Sequence, residues 1–312
     1  VNVRVTGQVQ TGNAIGFVRQ RSDELARVRQ QVSSGLRVER PSDDPGAFPA
    51  LSQFKAASGR LGTFAQNVGD ATATLNASLS VLQDVNDVLV RARQIALEGG
   101  DSAAAADPAA REALAVEVDG LIDQALRSAN GRPDGKTVFA GTALDTPPFR
   151  VAATDANGRP LAIAYDGAPE RARTVTAPGQ TIDTRYSGAA VFQRPGADVF
   201  GALLGLRDAL RDTGLDGAAR AAAFAQRLGS LDAARGAIND SMGEQASNLA
   251  TLESISALVD EQKLYADTRV GELEGTDFAE AVVRMKEMET ALQAIFATTV
   301  QIVQPGILDF IK

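Results

Sequence analysis

LSQFKAASGRLGTFAQNVGDATATLNASLSVLQDVNDVLVRARQIA, residues 51–96, is the stretch from which the fold can be read. Leu51, Phe54, Ser58, Leu61, Ala65, Val68, Thr72, Leu75, Leu79, Leu82, Asn86, Leu89, Arg93 and Ala96 follow one another at alternating steps of three and four. That spacing lays a stripe along one side of a helix and predicts a coiled-coil strand roughly 70 Å long at about 1.5 Å per residue. Asn86 and Arg93 interrupt the apolar seam, where a buried polar group would fix register at some cost in stability. The start is marked by Ser42-Asp43-Asp44-Pro45, with Asp44 suited to cap the helix and Pro45 to its first position. Gly99-Gly100 marks the end.

Outward from this helix, Asp107-Pro108 opens a second one carrying Leu114, Val118, Leu121 and Ala125, stopped by Gly131-Arg132-Pro133 and expected to run back along the first. From about Lys136 the period changes. Val138 with Ala140, then Leu161, Ile163 and Tyr165, then Thr174 to Thr176 are short alternating runs. The turn dipeptides Asp134-Gly135, Asn157-Gly158 and Asp166-Gly167 separate or flank them, so the stretch to about Arg194 reads as a small β-rich insertion. Helical spacing resumes at Asp198 with Val199, Leu203, Leu206 and Leu210. A long segment then reaches Leu273, in which Leu252, Val259, Ala266 and Leu273 fall seven apart. Gly275-Thr276 is expected to break this helix and cap the last one, which Gln304-Pro305-Gly306 would end.

Both ends of the chain carry heptad seams of their own. Val18, Leu25 and Val32 fall seven apart, with Val28 between. Near the C-terminus Ala281, Met285, Met288, Leu292, Ile295, Thr299 and Ile302 alternate steps of four and three. Such seams need another helix, and the economical partners are each other and copies of themselves. The candidate assembly interface is therefore Val18, Leu25, Val28, Val32, Met285, Met288, Leu292, Ile295 and Ile302. A candidate elbow and helix cap is formed by Arg37, Ser42, Asp43, Asp44 and Pro45. Asp43 and Asp44 as adjacent carboxylates could hold a metal, but consecutive side chains point different ways and no further carboxylates cluster nearby, which favours capping.

Composition narrows the function. Of 312 residues 44% are hydrophobic and 22% charged, so folding is expected, and aromatics at 5% with no Trp suit long packed helices better than a broad aromatic core. A net charge of -8 with no block of Lys and Arg makes nucleic acid an unfavoured partner. There is no His and no Cys, which removes the commonest general base, zinc ligands, thiol nucleophile and every disulfide, so no enzyme and no cofactor are expected. No apolar run approaches the roughly 20 residues needed to span a bilayer, and the first twenty residues lack the apolar core of a cleaved signal. The fold class expected is mainly α: a long coiled-coil helical rod formed by the N- and C-terminal segments together, with a small inserted β-rich domain. Its parts would be a terminal helical stem at 1–44 plus 275–312, a long-helix rod at 45–133 plus 198–274, and an outer insertion at 134–197.

The segment QVSSGLRVERPSDDPGA, residues 31–47, resembles the N-terminal signature of the flagellin superfamily, in which a Ser-Gly stretch leads into an Asp-Asp pair. KTVFAGTALDTPPF, residues 136–149, and the ending Ile307-Leu-Asp-Phe-Ile311 are similar to the branch of that superfamily that joins the flagellar hook to the filament. The resemblance covers both terminal regions and the helical frame, leaving 150–197 weakly matched. It implies a structural subunit of the bacterial flagellum, exported unfolded through the type III channel without a cleaved signal and guarded beforehand by a cytoplasmic export chaperone. Its partners would be copies of itself in a ring, the other hook-filament junction protein, and flagellin. The alternatives are a filament flagellin and, from another class, an exported flagellin-like enzyme with a hydrolase in the insertion. The missing His excludes a zinc peptidase of the His-Glu-x-x-His type from the last.

Overall fold

The structure, a computed structural model, describes residues 2–101, 107–143 and 145–308; side chains are described from residue 12 to 298, save 14 and 134 within those ranges. Two compact units emerge, one built from 1–60 with 262–312 and the other from 61–261. The chain is mainly helical, with a small strand-containing region inserted between long helices.

The 61–261 unit holds most of the core. Helix α2 (Phe48–Gly100) enters it at Leu61 and packs beside α3 (Pro108–Ala129) and α6 (Gly217–Glu274). Arg91 makes a bidentate pair with Glu117 of α3 at 2.6 and 2.9 Å, and Arg93 reaches Asp232 of α6 at 2.9 Å. Asp107 caps α3 as its sequence predicts, accepting from the Ala109 amide at 2.9 Å with Pro108 in the first position. The heptad reading of α2 needs one correction. Its buried face runs Val68, Ala71, Leu75, Ser78, Leu82, Val85, Leu89, Ala92 and Ala96, so every second seam position lies one residue earlier than the strict alternation placed it. The seven-residue repeat itself is kept, and Val88 and Ile95 are buried beside it, because a helix that meets two neighbours buries a wider stripe than a single coiled-coil seam. Asn86 and Arg93 consequently flank the seam, where Asn86 accepts from Arg235 at 3.2 Å. The polar groups inside include Ser78, at 1% exposure, and Gln245 of α6, at 0%.

Between α3 and α6 come two hairpins. β1 (Phe149–Thr154) pairs antiparallel with β2 (Pro160–Tyr165), and β3 (Ala172–Ala177) with β4 (Gln180–Arg185). The Asn157-Gly158 signal makes the first turn: Gly158 takes a φ of +81°, and the Asp155 carboxylate accepts from the Asn157 and Arg159 amides at 2.8 Å. A short helix, α4 (Gly188–Phe192), and a two-residue hairpin, β5 (Gln193–Arg194) with β6 (Ala197–Asp198), lead into α5 (Val199–Arg211), which starts where helical spacing resumes and is capped by Asp198. Val138 and Ala140 do not form a strand. They lie buried in an irregular segment, bridged at Ala140 to Ser187 and accepting at the Phe139 and Ala140 carbonyls from the Gly188 and Ala168 amides at 2.7 and 3.0 Å, while the Phe139 side chain, at 0% exposure, pins the segment into the core. Gly141 closes that segment at φ +60°, where a Cβ would sit 2.4 Å from the Glu170 carbonyl oxygen.

The scarce aromatics are gathered rather than spread. Phe139, Phe149, Phe192 and Phe200 form one nucleus, with Phe139 and Phe192 edge to face at 4.8 Å and Phe149 and Phe200 5.0 Å apart. The aromatic packing is thus a local nucleus, confined to where the hairpins meet α4 and α5, and not a broad core. Arg207 of α5, 2% exposed, is held by Asp208 at 2.7 Å and by the Pro160 carbonyl, and Arg211 is bonded to Glu112 and Asp119 of α3. Among the described residues no helix is long and apolar enough to cross a membrane.

Candidate functional site

The other unit brings the two ends of the chain together. Helix α1 (Asn2–Ser34) packs along α7 (Phe278–Leu308), each contributing the stripe its sequence carries. Leu25 and Val28 of α1 are 7% and 8% exposed, and Ala281 and Leu292 of α7 are 5% and 7%. Val18, Val32, Met285, Met288 and Ile295 continue the seam half-buried. The side chain of Ile302 lies outside the described residues. Arg29 and Glu289 lock the register with a 2.8 Å ion pair, and Lys286 adds to the same carboxylate at 3.3 Å, which holds Glu289 below the usual carboxylate range.

The elbow between α1 and α2 is built from backbone as much as from side chains. Gly35 ends α1 in the left-handed region at φ +72°, donating to the Gln31 carbonyl at 2.8 Å, a conformation that glycine adopts without Cβ strain. Leu36 then bridges Gly275, the Arg37 amide donates to the Glu274 carbonyl at 2.6 Å, and the Thr276 amide donates to the Gly35 carbonyl at 3.0 Å. The elbow and the break between α6 and α7 thus satisfy one another's free backbone groups. Val38 is buried at 0% beneath them.

Arg37 is the central side chain. One guanidinium nitrogen reaches Asp44 at 2.9 Å and the other the Leu273 carbonyl at 3.0 Å, so a single residue ties the start of α2 to the end of α6. Asp44 accepts from the Gly46 and Ala47 amides at 3.1 and 2.9 Å, and its carbonyl accepts from Phe48, which is the capping role its sequence predicts. Regular helix begins three residues later than Pro45, at Phe48, because 45–47 form the turn that this cap organises. The neighbouring Asp43 accepts from the Glu39 and Arg40 amides at 3.1 and 2.8 Å. Asp43 is held below the usual carboxylate range by those two amides, Asp44 by the Arg37 guanidinium and then the Ala47 amide. Each carboxylate is committed to the turn. Ser42 is exposed and lines, with Arg27, Arg37 and Arg40, a depression of about 310 Å³.

Two boundaries differ from the sequence reading. Asp277, not Thr276, caps α7, its carboxylate accepting from Ala279 and Glu280 at 2.9 and 3.1 Å, because Thr276 is used in the bridge to Gly35. Helix α7 continues past Gln304 to Leu308, so Pro305 and Gly306 do not end it. Below the elbow Phe54 packs edge to face on Tyr265 at 6.2 Å, and Ser58 and Lys55 bond Asp267 and Glu274.

Periodicity did not single out the apolar side chains that face away from the α1/α7 seam. Ile15 and Phe17 on α1, and Phe278, Val283 and Phe296 on α7, are each between 46% and 60% exposed. They stand off the heptad stripe, and the signal that could have found them is a surplus of large apolar residues on faces the seam leaves polar.

Residues 7–143 match the family model described as the bacterial flagellin N-terminal helical region. Over most of its length the chain is similar to flagellar hook-associated protein 3: 22% identical to that of Salmonella typhimurium, covering 95% of this chain and 96% of the relative, and 26% identical to that of Escherichia coli, covering 88% of each. Its fold is similar to the flagellar junction protein FlgL from Legionella pneumophila, with a TM-score of 0.57 at 14% identity over 72% of this chain and 100% of that one. FlgL of Xanthomonas campestris gives a TM-score of 0.60 at 14% identity, over 70% of this chain and 99% of that one.

Proposed function

We propose that this chain, which carries a flagellin-type N-terminal helical region and resembles hook-associated protein 3 from end to end, is a structural subunit of the bacterial flagellum that joins the hook to the filament. It would act by assembly alone, without chemistry. The observation that carries this reading is the pairing of α1 with α7 in a chain whose likeness to hook-associated protein 3 spans 95% of its length. The seam residues Val18, Leu25, Val28, Val32, Met285, Met288, Leu292 and Ile295 hold the pair together, and Ile302 extends the same heptad. Phe17, Phe278, Val283 and Phe296, left outside it, are the side chains that neighbouring copies would cover.

In this reading residues 1–44 with 275–312 are the assembling part, 45–133 with 198–274 the long-helix part, and 134–197 the outward insertion. The partners are copies of the same chain in a ring, the other hook-filament junction protein, and flagellin. A cytoplasmic chaperone would guard the chain before its export to the cell exterior without a cleaved signal. Arg37, Asp43, Asp44 and Pro45 with Ser42 set the bend from which α1 turns to meet α7.

Filament assembly on cells lacking this protein tests the reading. Loss of filaments, with flagellin released into the medium and filaments restored by the wild-type chain, is the expected result; normal filaments without it would refute the adaptor role. Unlimited self-polymerisation of the purified chain on filament seeds would instead indicate a filament flagellin.

A further inference from the structure

A second site lies wholly within the 61–261 unit. Asn67, Asp70 and Thr74 on two successive turns of α2, Lys136 after the second helix, and Thr174 and Arg185 on the β3/β4 hairpin line a half-open depression of about 400 Å³. That is within the roughly 300–1,000 Å³ range of small-ligand pockets. Most of its polar lining is already committed. The Asn67 amide donates to the Val175 carbonyl at 2.8 Å, the Thr74 hydroxyl to the Asp70 carbonyl at 2.8 Å, and the Thr174 and Thr184 hydroxyls share a bond at 3.1 Å.

Arg185 differs. It ends β4 half-buried, its Nε fully covered, and among the described residues it makes no hydrogen bond and no ion pair. The two other arginines of this hairpin stand more exposed, yet each has a carboxylate: Arg171 has Asp183 and Glu244, and Arg173 has Asp183. Lys136 at the rim is likewise unpaired among the described residues. Asp70 is the one acidic group in the lining, so two cations and one anion leave a surplus positive charge. A guanidinium withdrawn from water without a partner is costly to the fold, and its planar fork matches a carboxylate in two parallel bonds.

We propose that this depression is a carboxylate-binding site, with the Arg185 guanidinium as its anchor and Lys136 as a second positive group at the mouth. Burial pushes Arg185 down from the ordinary guanidinium range, and Asp70 offsets this only in part. The same chemistry can be supplied by a free dicarboxylate or by an acidic side chain of a second copy, since the chain carries 39 Asp and Glu against 31 Lys and Arg. The proposal does not rest on the flagellar reading.

Isothermal titration of the full chain with succinate at low ionic strength, for wild type, R185M and K136M, tests it alongside sedimentation velocity over a range of protein concentrations. A free dicarboxylate would give saturable binding by wild type, weakened at least tenfold in R185M and less in K136M, with the protein monomeric throughout. A second copy would give concentration-dependent self-association that R185M abolishes and succinate competes away. In either case R185M should melt at the wild-type temperature or above it, because an unpaired guanidinium contributes nothing to the fold. No succinate binding together with no Arg185-dependent association overturns the proposal, as does an R185M chain that melts several degrees lower, which would make Arg185 a structural residue.

Discussion

Leu292→Ala separates the stability of the paired chain ends from that of the main core. Leu292 is 7% exposed on the α1/α7 seam, whose fully buried apolar set among the described residues is completed by Leu25, Val28 and Ala281. Truncating a buried leucine to alanine costs about 2 to 5 kcal/mol. At about 1.4 kcal/mol per decade, that raises the opening constant of the pair roughly 30- to 4,000-fold. So short a seam has little else to resist with. The amides of 15–34 and 279–298 are therefore expected to lose protection by that factor, or to reach their unprotected rate, in native-state hydrogen exchange on the isolated chain. Because the 61–261 unit has its own core, protection at 68–96 should not change. Leu82→Ala is the comparison: at 0% exposure inside that core, it should lower the denaturant midpoint of the main transition by an amount corresponding to about 3 to 5 kcal/mol. The reasoning fails if Leu292→Ala shifts the main transition as far as Leu82→Ala does, or if exchange in α1 is indifferent to it. The first outcome would mean that the ends fold only as part of one cooperative whole, the second that α1 does not depend on α7.

Acid should loosen the elbow before it unfolds the long helices. Asp43 and Asp44 both titrate below their unfolded value of about 3.9, so the stability they contribute is present above that pH and is lost as pH falls through the lower folded values. Exchange of the 35–48 amides followed from pH 6 to pH 3 should show protection lost below about pH 4 in wild type, and absent at every pH in a D43A/D44A double variant, which lacks the acceptors. At the alkaline end Tyr186, bonded by Asn248 at 2.8 Å, is pushed up to about 12 by burial. Its contribution is complete below the unfolded value of about 10 and is lost as pH rises through 12, amounting to about 2 to 3 kcal/mol. Chemical denaturation at pH 9 and pH 11.5 should show wild type losing about 2 kcal/mol of it relative to Y186F; parallel losses would disprove the assignment. Gln245→Leu should raise stability by about 1 to 3 kcal/mol, since both polar ends of that buried side chain lack a partner among the described residues. A destabilised Q245L would show that the amide is satisfied.

Period and punctuation carried the helices because each rests on local chemistry that the sequence spells out. Asp107-Pro108 and Asp198 cap where a short acceptor followed by a helix-compatible residue must, and Asn157-Gly158 turns where a positive φ is needed. What stayed hidden depends on which neighbours a helix acquires. The α2 seam moved to Ala71, Ser78, Val85 and Ala92 because two helices cover it, and nothing in a strict heptad announces a second neighbour. Strands β1 and β4 escaped notice since their exposed positions alternate with little hydrophobic contrast, as in Gln180-Thr-Ile-Asp-Thr-Arg185. In the elbow, the Asp-Asp pair was legible as a cap. The exchange of backbone bonds between residues 35–38 and 274–276 was not, because it joins segments about 240 residues apart.

That separation bears on how the candidate interface can come into being. The α1 seam buries Leu25 and Val28 against a helix that begins at Phe278, and the Arg29/Glu289 pair spans 260 residues. Closing so long a loop is an entropic cost that α1 and α7 alone, with four well-buried apolar side chains, are poorly placed to meet. Within the terminal unit the cost is offset locally: Lys55 with Glu274, Ser58 with Asp267 and Phe54 with Tyr265 set the start of α2 beside the end of α6. The elbow bonds then hold Gly35 and Thr276 together, so α1 and α7 leave from adjacent points and need close only a short loop. On this logic the elbow is a precondition for the seam. Damage at Arg37 or Gly35 should therefore open α1 and α7 along their length, whereas damage at Leu292 leaves the elbow bonds in place. The two lesions are distinguishable by exchange at the 36–38 and 275–276 amides.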